Sequence, residues 1–135
     1  MKAPHLLRVE DGPERFAALI EAARAEGLRI GWLDLSIPSA SPGLEAAAGL
    51  GVLRAVAAGG GRSVAVKPLR GEPVLKDLLR EHFRGCALVL VRGEVEAPVL
   101  RPDGDGWKVE VEGEAARRFE TGKLATALRK PRPWS

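Results

Sequence analysis

The sequence predicts an α/β protein with a mostly parallel sheet, flanking helices and a C-terminal β-hairpin. Strand-like and helix-like apolar spacings alternate along most of the chain, which is typical of parallel strands joined by right-handed crossovers. The continuous apolar run at residues 86–91 (CALVLV) is typical of a strand buried on both faces. Two further strand-like segments flank residues 103–106 (DGDG), a sequence that favours a tight hairpin turn.

Length and composition favour one globular domain over residues 1–135. The 135 residues are 45% hydrophobic and 29% charged, which are values of a folded chain rather than a disordered one. No apolar run approaches the roughly 18–20 residues that cross a bilayer. The N-terminus lacks the apolar core of a signal peptide. We therefore expect a cytoplasmic protein that does not enter a membrane.

Several residue types are absent, and their absence indicates habitat rather than function. The chain has no Asn, Gln or Tyr, and it uses 15 Arg against 6 Lys. Depletion of thermolabile amides is typical of proteins from hot environments, so we expect a thermophilic source. The single cysteine, Cys86, excludes an internal disulfide and a cysteine-based zinc cluster.

The first predicted elements are a strand, a helix and a second strand. Residues 6–9 form the short strand, and Asp11 and Pro13 then favour a helix start. Apolar residues recur at helical spacing until Gly27, which ends the helix. Residues 29–36 (RIGWLDLS) predict the second strand.

The next predicted helix, residues 43–58, is apolar nearly all round. Glu45 and Arg54 are its only charges, so it must be buried or must pack on a partner. We expect an interface with a protein partner or a second copy of the chain, and complete burial within the monomer is the alternative. The candidate interface residues are Leu44, Leu50, Leu53 and Val56.

Three glycines, residues 59–61, are interpreted as the end of this helix. A phosphate-binding loop needs a strand before its glycines and a helix after them, whereas the order predicted here is the reverse. The remaining predicted elements are a strand at 63–67, an amphipathic helix at 73–84, the buried strand at 86–91, hairpin strands at 95–100 and 107–111, and a last helix that includes Leu124, Ala125 and Leu128.

None of the histidine, cysteine or acidic motifs predicts a catalytic or metal centre. His82 is expected to pack on the inner face of its helix, and Cys86 is expected to be a small buried apolar side chain. The sequence at 103–106 resembles part of a calcium loop but lacks the later ligands, so a hairpin turn is expected. We expect no catalytic residues, no cofactor and no metal.

Polar side chains follow two of the strands expected in the sheet. Ligands of open α/β sheets bind at the carboxyl ends of the strands. Serine hydroxyls at a helix start beside two cations are suited to an anion, which would make the chain a small anion-binding sensor or enzyme. Ordinary helix capping and surface charge are the preferred interpretation. The candidate anion-binding residues are Ser36, Ser39, Ser41, Lys67 and Arg70.

The net charge of +3 is concentrated towards the C-terminus. Residues 1–60 carry six basic and seven acidic side chains, a net of −1, and residues 61–135 carry fifteen and eleven, a net of +4. A basic segment at 113–135 that contains a tryptophan is suited to DNA binding through phosphates and stacking. A solvated helix end is the preferred interpretation of the same residues. The candidate nucleic-acid-binding residues are Lys123, Arg129, Lys130, Arg132 and Trp134.

Residues 6–100 resemble the core of the RecA-type recombinases in the order of their motifs. That family has a strand, a Gly-Pro-Glu phosphate loop ending in Gly-Lys-Thr, a helix, and a strand with an acidic end. Here a strand leads into Gly12-Pro13-Glu14, a helix follows, and the next strand contains Trp32-Leu33-Asp34. Residues 67–75 (KPLRGEPVL) resemble the family's Gln-Pro-x-x-Gly-Glu-x-x-Leu segment, and Gly85 precedes the apolar strand.

Three parts of that family's nucleotide site are missing. Glu14 is followed directly by Arg15, without the turn whose Lys and Thr hold phosphate and magnesium. Ser36 stands where the resemblance requires the acidic residue that activates water. Gly93 stands at the acidic position after the apolar strand, although Glu94 is adjacent. We therefore expect no nucleotide hydrolysis.

Relatives of the recombinases that lack the phosphate loop include SulA-like division inhibitors and ImuA-like mutagenesis accessory proteins, and both act by binding other proteins. The resemblance thus implies a non-catalytic protein that works through protein contacts in DNA-damage response or recombination. A DNA-binding accessory protein that uses the basic segment is the alternative.

Overall fold

The computed structural model describes residues 3–35, 42–67, 69 and 71–135. The chain divides into two compact units. Unit 1 is Met1–Ser36 together with Leu79–Ser135, and unit 2 is Ile37–Leu78. Unit 1 contains a six-stranded mixed sheet, and unit 2 contains a two-stranded antiparallel sheet. The predicted α/β architecture is confirmed, whereas the organisation as one domain stays a prediction.

The described residues form eight strands and four helices. The strands are β1 (His5–Val9), β2 (Ile30–Asp34), β3 (Ala55–Gly59), β4 (Arg62–Val66), β5 (Leu88–Arg92), β6 (Val99–Asp103), β7 (Gly106–Glu110) and β8 (Arg117–Phe119). The helices are α1 (Ala17–Ala25), α2 (Pro42–Gly49), α3 (Leu75–His82) and α4 (Thr121–Ala127). Within these described ranges, no helix combines the length and the apolar character that crossing a membrane requires.

The sheet of unit 1 is mostly parallel, with the strand order β2-β5-β1-β6-β7-β8. The first four strands in this order run parallel, and β7 and β8 extend the sheet antiparallel beyond β6. β5 pairs with both β1 and β2 over its whole length, and its residues 88–91 are fully buried. The prediction of a central apolar strand at 86–91 is therefore confirmed, with the strand beginning at Leu88.

One face of the sheet in unit 1 holds a continuous hydrophobic core. Trp107 of β7 stacks on Phe16, with ring centroids 5.7 Å apart, and its Nε1 donates a hydrogen bond to Thr121 Oγ1 at 2.9 Å. Each fully buried side chain contributes roughly 1.5–3 kcal/mol to folding. The core comprises Leu7, Val9, Phe16, Leu19, Ala23, Leu88, Leu90, Leu100, Trp107, Val109, Leu124 and Leu128.

The first helical segment begins differently from the prediction. Pro13–Phe16 forms a 3₁₀ helix ahead of α1, and Gly12 rather than Asp11 is its N-cap. Gly27 follows α1 with φ +76°, and the Leu28 amide donates a hydrogen bond to the Ala23 carbonyl. The prediction that Gly27 ends the helix is confirmed.

The C-terminal hairpin is confirmed, with its first strand shifted along the chain. β6 and β7 are joined by a two-residue turn, because Asp103 pairs with Gly106. β6 begins at Val99 rather than at residue 95, and Pro98 just before it has no amide hydrogen to give to a strand partner. The edge strand β8, with only three residues, was not predicted.

Unit 2 departs most from the prediction. The helix expected over residues 43–58 ends at Gly49, and Ala55–Gly59 is instead the strand β3, paired with β4. Gly60 and Gly61 have φ of +58° and +78°, the two positive values that a type I′ hairpin turn requires. The interpretation of these glycines as a helix end is therefore wrong. The predicted strand at 63–67 belongs to this separate hairpin rather than to the parallel sheet.

The helix predicted over residues 73–84 is α3, and Phe83 directly after it packs on β2. A Cβ added to Gly31 would lie 2.4 Å from Cδ1 of Phe83, so the ring occupies the space of a side chain. The burial predicted for His82 is wrong, because this last residue of α3 has a side chain that is 50% exposed. The His82 ring contacts Phe83 edge-on.

We expect Gly31→Ala to lower the free energy of unfolding by about 1–3 kcal/mol, because the new methyl group overlaps the Phe83 ring. Gly122→Ala is the matched control, since Gly122 in α4 has no atom within 4 Å of an added Cβ. The control should be neutral or should raise stability by up to about 1 kcal/mol. Urea unfolding measures both, and equal effects would contradict the packing described here.

Candidate functional site

Charged side chains at the carboxyl ends of the parallel strands pair with one another. Arg92 at the end of β5 lies 3.9 Å from the Asp34 carboxylate at the end of β2. Arg8 of β1 lies 3.3 Å from the Glu94 carboxylate, which follows β5. Open α/β sheets bind ligands at this edge. Here the ion pairs neutralise part of the positive charge that would attract an anionic ligand.

Arg101 of β6 holds two further carboxylates at this edge. Its Nη1 donates a hydrogen bond to Glu10 Oε2 at 2.8 Å, and its Nε lies 3.4 Å from Glu110 Oε1. The hydrogen bond and the positive charge of Arg101 lower the pKa of Glu10 below its ordinary value. The same contact with Glu10 raises the pKa of Arg101. This bridge ties the end of β1 to the β6–β7 hairpin.

An open cleft of about 770 Å³ lies beside these ion pairs. Arg8 contributes one cation to its lining, and the Nε atom of Arg8 is buried with no hydrogen-bond partner among the described residues. The acidic lining residues are Glu94, Glu96, Glu110, Glu112 and Glu114. Five carboxylates against one guanidinium repel a polyanion such as a nucleoside triphosphate.

The segment after β1, where the resemblance would place a phosphate loop, holds a carboxylate of its own. Oε2 of Glu14 lies 2.7 Å from the position of a Cβ added to Gly12, so the carboxylate covers this glycine. Helix starts favour negative charge, and Glu14 supplies it here. Phe16, at the end of the same 3₁₀ helix, is fully buried in the core.

Only one residue of the predicted anion-binding set is described by the structure. Lys67 directly follows β4 in unit 2 and is half-buried. The other four predicted residues, Ser36, Ser39, Ser41 and Arg70, lie outside the described residues. The anion site therefore stays a prediction.

The predicted nucleic-acid-binding residues are divided between engaged and exposed side chains. Trp134 packs on the core and contacts His5 edge-on, with ring centroids 5.8 Å apart. Arg129 donates to the backbone carbonyl of Glu26 and lies 3.7 Å from its carboxylate. The remaining three are exposed and form no ion pair with any described residue: Lys123, Lys130 and Arg132. DNA binding stays a prediction.

Cys86 is half-buried just before β5. It lines a cavity of about 450 Å³ together with His5 and Lys130. Burial raises the pKa of the Cys86 thiol, so it is protonated at neutral pH and is a weak nucleophile. Across the described ranges, no group of three or more His, Cys, Asp and Glu side chains is arranged to hold a metal ion.

Unit 2 exposes large apolar side chains within one short segment. Leu50 and Leu53 are 87% and 86% exposed, and Val56 and Val64 are 57% and 52% exposed. We call Leu50, Leu53 and Val56 the apolar surface. Val64 is the cross-strand partner of Ala57 and therefore lies on the opposite face of the hairpin from Val56. All three residues of the apolar surface were predicted as interface residues, whereas the fourth predicted residue, Leu44 of α2, is half-buried.

The apolar surface is not the face of one helix, as the sequence had predicted. α2 ends at Gly49, so Leu50 and Leu53 lie in the connection to β3, and Val56 lies on β3 itself. The exposure of Val64, on the other face of the hairpin, was missed because β4 was expected inside the parallel sheet. Its signal was the direct succession of a Gly-Gly turn and a short apolar run.

Neither a scan against protein-family models nor a search of curated proteins finds a match to this chain. The resemblance to the recombinases therefore stays a prediction.

We expect Arg101→Met to raise the pKa of Glu10 towards its ordinary value, as measured by a pH titration of the carboxyl carbons in NMR spectra. A lowered pKa in the folded chain means that the ion pair stabilises the fold above the ordinary carboxyl pKa. That contribution is lost as the pH falls through the lowered value. The stability difference between the wild type and the variant should therefore be present at neutral pH and should vanish in acid.

Lys108→Met is the control, because Lys108 is the cross-strand partner of Arg101 and makes no contact with Glu10. It should leave the pKa of Glu10 unchanged. An unchanged pKa in Arg101→Met would show that the bridge does not hold Glu10 in solution.

Proposed function

We propose that this chain is a non-catalytic, RecA-like α/β protein that acts through protein–protein contacts in DNA-damage response or recombination. The observation that carries the proposal is the apolar surface of unit 2 (Leu50, Leu53 and Val56). The RecA-like part of the proposal rests on the motif order of residues 6–100, and it fits the mostly parallel sheet of unit 1.

The apolar surface is unusual because its exposed side chains lie within one short stretch of the sequence. Single exposed apolar side chains are ordinary, whereas clustered ones mark contact sites. Between residues 46 and 64 the only charges are Arg54 and Arg62. Covering Leu50 and Leu53 would contribute roughly 3–6 kcal/mol before the entropic cost of association. A protein partner that covers them therefore has a substantial driving force.

The carboxyl edge of the sheet supports a role without nucleotide hydrolysis. The resemblance requires a Lys and a Thr shortly after Gly12-Pro13-Glu14, and in this chain Arg15 and the buried Phe16 follow Glu14 directly. The cleft beside β1 is lined by five glutamates and one arginine. The missing Lys and Thr remove the groups that would hold phosphate, and the acidic lining of the cleft repels it.

Protein contact is favoured over DNA binding by the state of the basic segment. Stacking on a base needs an accessible ring, and the Trp134 ring packs against His5 and the core. Arg129 is engaged by Glu26. The three exposed cations that remain form a weaker electrostatic footprint than a basic face.

The proposal predicts crosslinks from the apolar surface to one specific protein. A photo-reactive amino acid at position 53 of the full chain, expressed in its source organism, should give one dominant protein–protein adduct, either with a second copy or with another protein. The same group at position 108, on the exposed side of β7, should not give this adduct.

An additional Leu50→Ser substitution should reduce the adduct at position 53 several-fold, because it removes a neighbouring apolar contact. Equal labelling from positions 53 and 108, or a chain that stays monomeric and gives no adduct at position 53, would overturn the proposed function.

A further inference from the structure

The hairpin of unit 2 has two outer edges that differ in chemistry. β4 contains Arg62 and is followed in the sequence by Lys67 and Pro68, which are residue types that protect strand edges. β3 reads Ala55-Val56-Ala57-Ala58-Gly59 and contains neither a charge nor a proline. Its pairing with β4 runs over five consecutive residues without a bulge. The β3 edge therefore lacks the usual protection against pairing with another strand.

This unprotected edge is also open. Among the described residues, β3 pairs with β4 only. Residues 56–59 are exposed, and only Ala55, at the end nearer α2, is buried. A two-stranded sheet is marginal by itself, and a third or fourth strand stabilises it. The free backbone groups of β3 are thus a template for strand addition.

We propose that β3 pairs antiparallel with β3 of a second copy of this chain, which joins the two hairpins into a four-stranded sheet across a two-fold axis at Ala57. The proposal rests on the proposed function, since it names the occupant of the surface around Val56. Twofold dimers of identical chains are the commonest assemblies, and each patch must then be complementary to itself.

The β3 edge meets this requirement in charge and in size. No formal charge lies between Arg54 and Arg62, so two copies approach without like charges directly opposite each other. A charged partner strand would lose hydration against this edge without gaining a counter-ion. Pairing centred on Ala57 sets Val56 opposite the small Ala58 of the second copy, so the side chains do not collide.

The turn geometry also determines which backbone groups of β3 point away from β4. In a two-residue hairpin the residues that flank the turn, here Gly59 and Arg62, form a hydrogen-bonded pair, and bonded pairs then alternate along the ladder. The amide and carbonyl groups of Val56 and Ala58 therefore point away from β4. A two-fold axis at Ala57 brings these residues together in about four backbone hydrogen bonds.

The size of the contact sets its strength. One five-residue strand pair buries less than the roughly 800 Å² per partner of a standard interface. Leu53, which lies just before β3 and is 86% exposed, adds apolar area at the margin of the new sheet. We therefore expect a reversible dimer whose population rises with protein concentration.

The first test compares two proline variants of the full chain by sedimentation velocity over a range of concentrations. Ala58→Pro removes an amide that points out of the β3 edge, and it should weaken the dimer at least about tenfold. Ser63→Pro is the matched control, because Ser63 is the cross-strand partner of Ala58 and its amide points out of the β4 edge. It should change the dimer constant by less than about twofold.

The second test uses charge and does not depend on tolerance of proline. Ala57→Lys and Ala57→Glu each place like charges opposite each other across the proposed axis, so each variant alone should be monomeric. An equimolar mixture of the two should form a heterodimer that weakens as salt is raised. Val64→Lys, beside Ala57 in the hairpin but away from the β3 edge, should leave the dimer intact.

A wild-type chain that stays monomeric at every concentration would overturn the proposal. So would equal effects of Ala58→Pro and Ser63→Pro, or a charge mixture that does not associate. If the chain is monomeric while position 53 crosslinks to a different protein, the proposed function stands and the self-pairing falls. If there is neither a dimer nor a crosslink, both fall.

Discussion

The structure of unit 1 depends on the burial of β5 between two parallel neighbours. β5 pairs with β1 on one side and β2 on the other, and its four apolar residues, 88–91, have no contact with water. Parallel pairs need crossover connections of at least about a dozen residues, and α1 provides one between β1 and β2. The connection from β2 to β5 spans residues 35–87 and contains unit 2. Unit 2 is thus an elaboration of a crossover that the central sheet requires.

The same arrangement collects the carboxyl ends of β2, β5 and β1 at one edge. In a nucleotide-binding α/β protein that edge offers amides and cations to phosphate. Here Asp34 and Glu94 lie beside arginines, and the chain continues from Glu14 into the buried Phe16 without a Lys or a Thr for phosphate. Carboxylates and arginines of the chain itself form ion pairs at this edge. The function that we propose therefore lies on the surface of unit 2 rather than at this edge.

The sequence allowed the unit 1 elements to be predicted because burial imposes strong patterns there. The apolar run of β5 predicts a buried strand, and the DGDG sequence between β6 and β7 predicts a tight hairpin turn. Residues 43–66 were harder to predict. Ala favours a helix by its intrinsic propensity although Ala55–Gly59 is a strand, and the exposed strands lack the alternation of a half-buried sheet. The Gly-Gly pair is compatible with a helix end or with a type I′ turn. Leu50, Leu53 and Val56 are nevertheless predicted as interface residues, because the low charge of this segment indicates a contact surface whether the segment is a helix or a strand.

The central claim is that the chain makes protein contacts through unit 2 and binds no nucleotide at the sheet edge. Amide hydrogen exchange of the full chain tests it most directly, because one experiment reports on both β3 and residues 10–16. The account predicts that raising the protein concentration slows exchange at Val56 and Ala58, and that magnesium and ATP leave residues 10–16 unchanged. Slower exchange at residues 10–16 with ATP, together with concentration-independent exchange in β3, would contradict it.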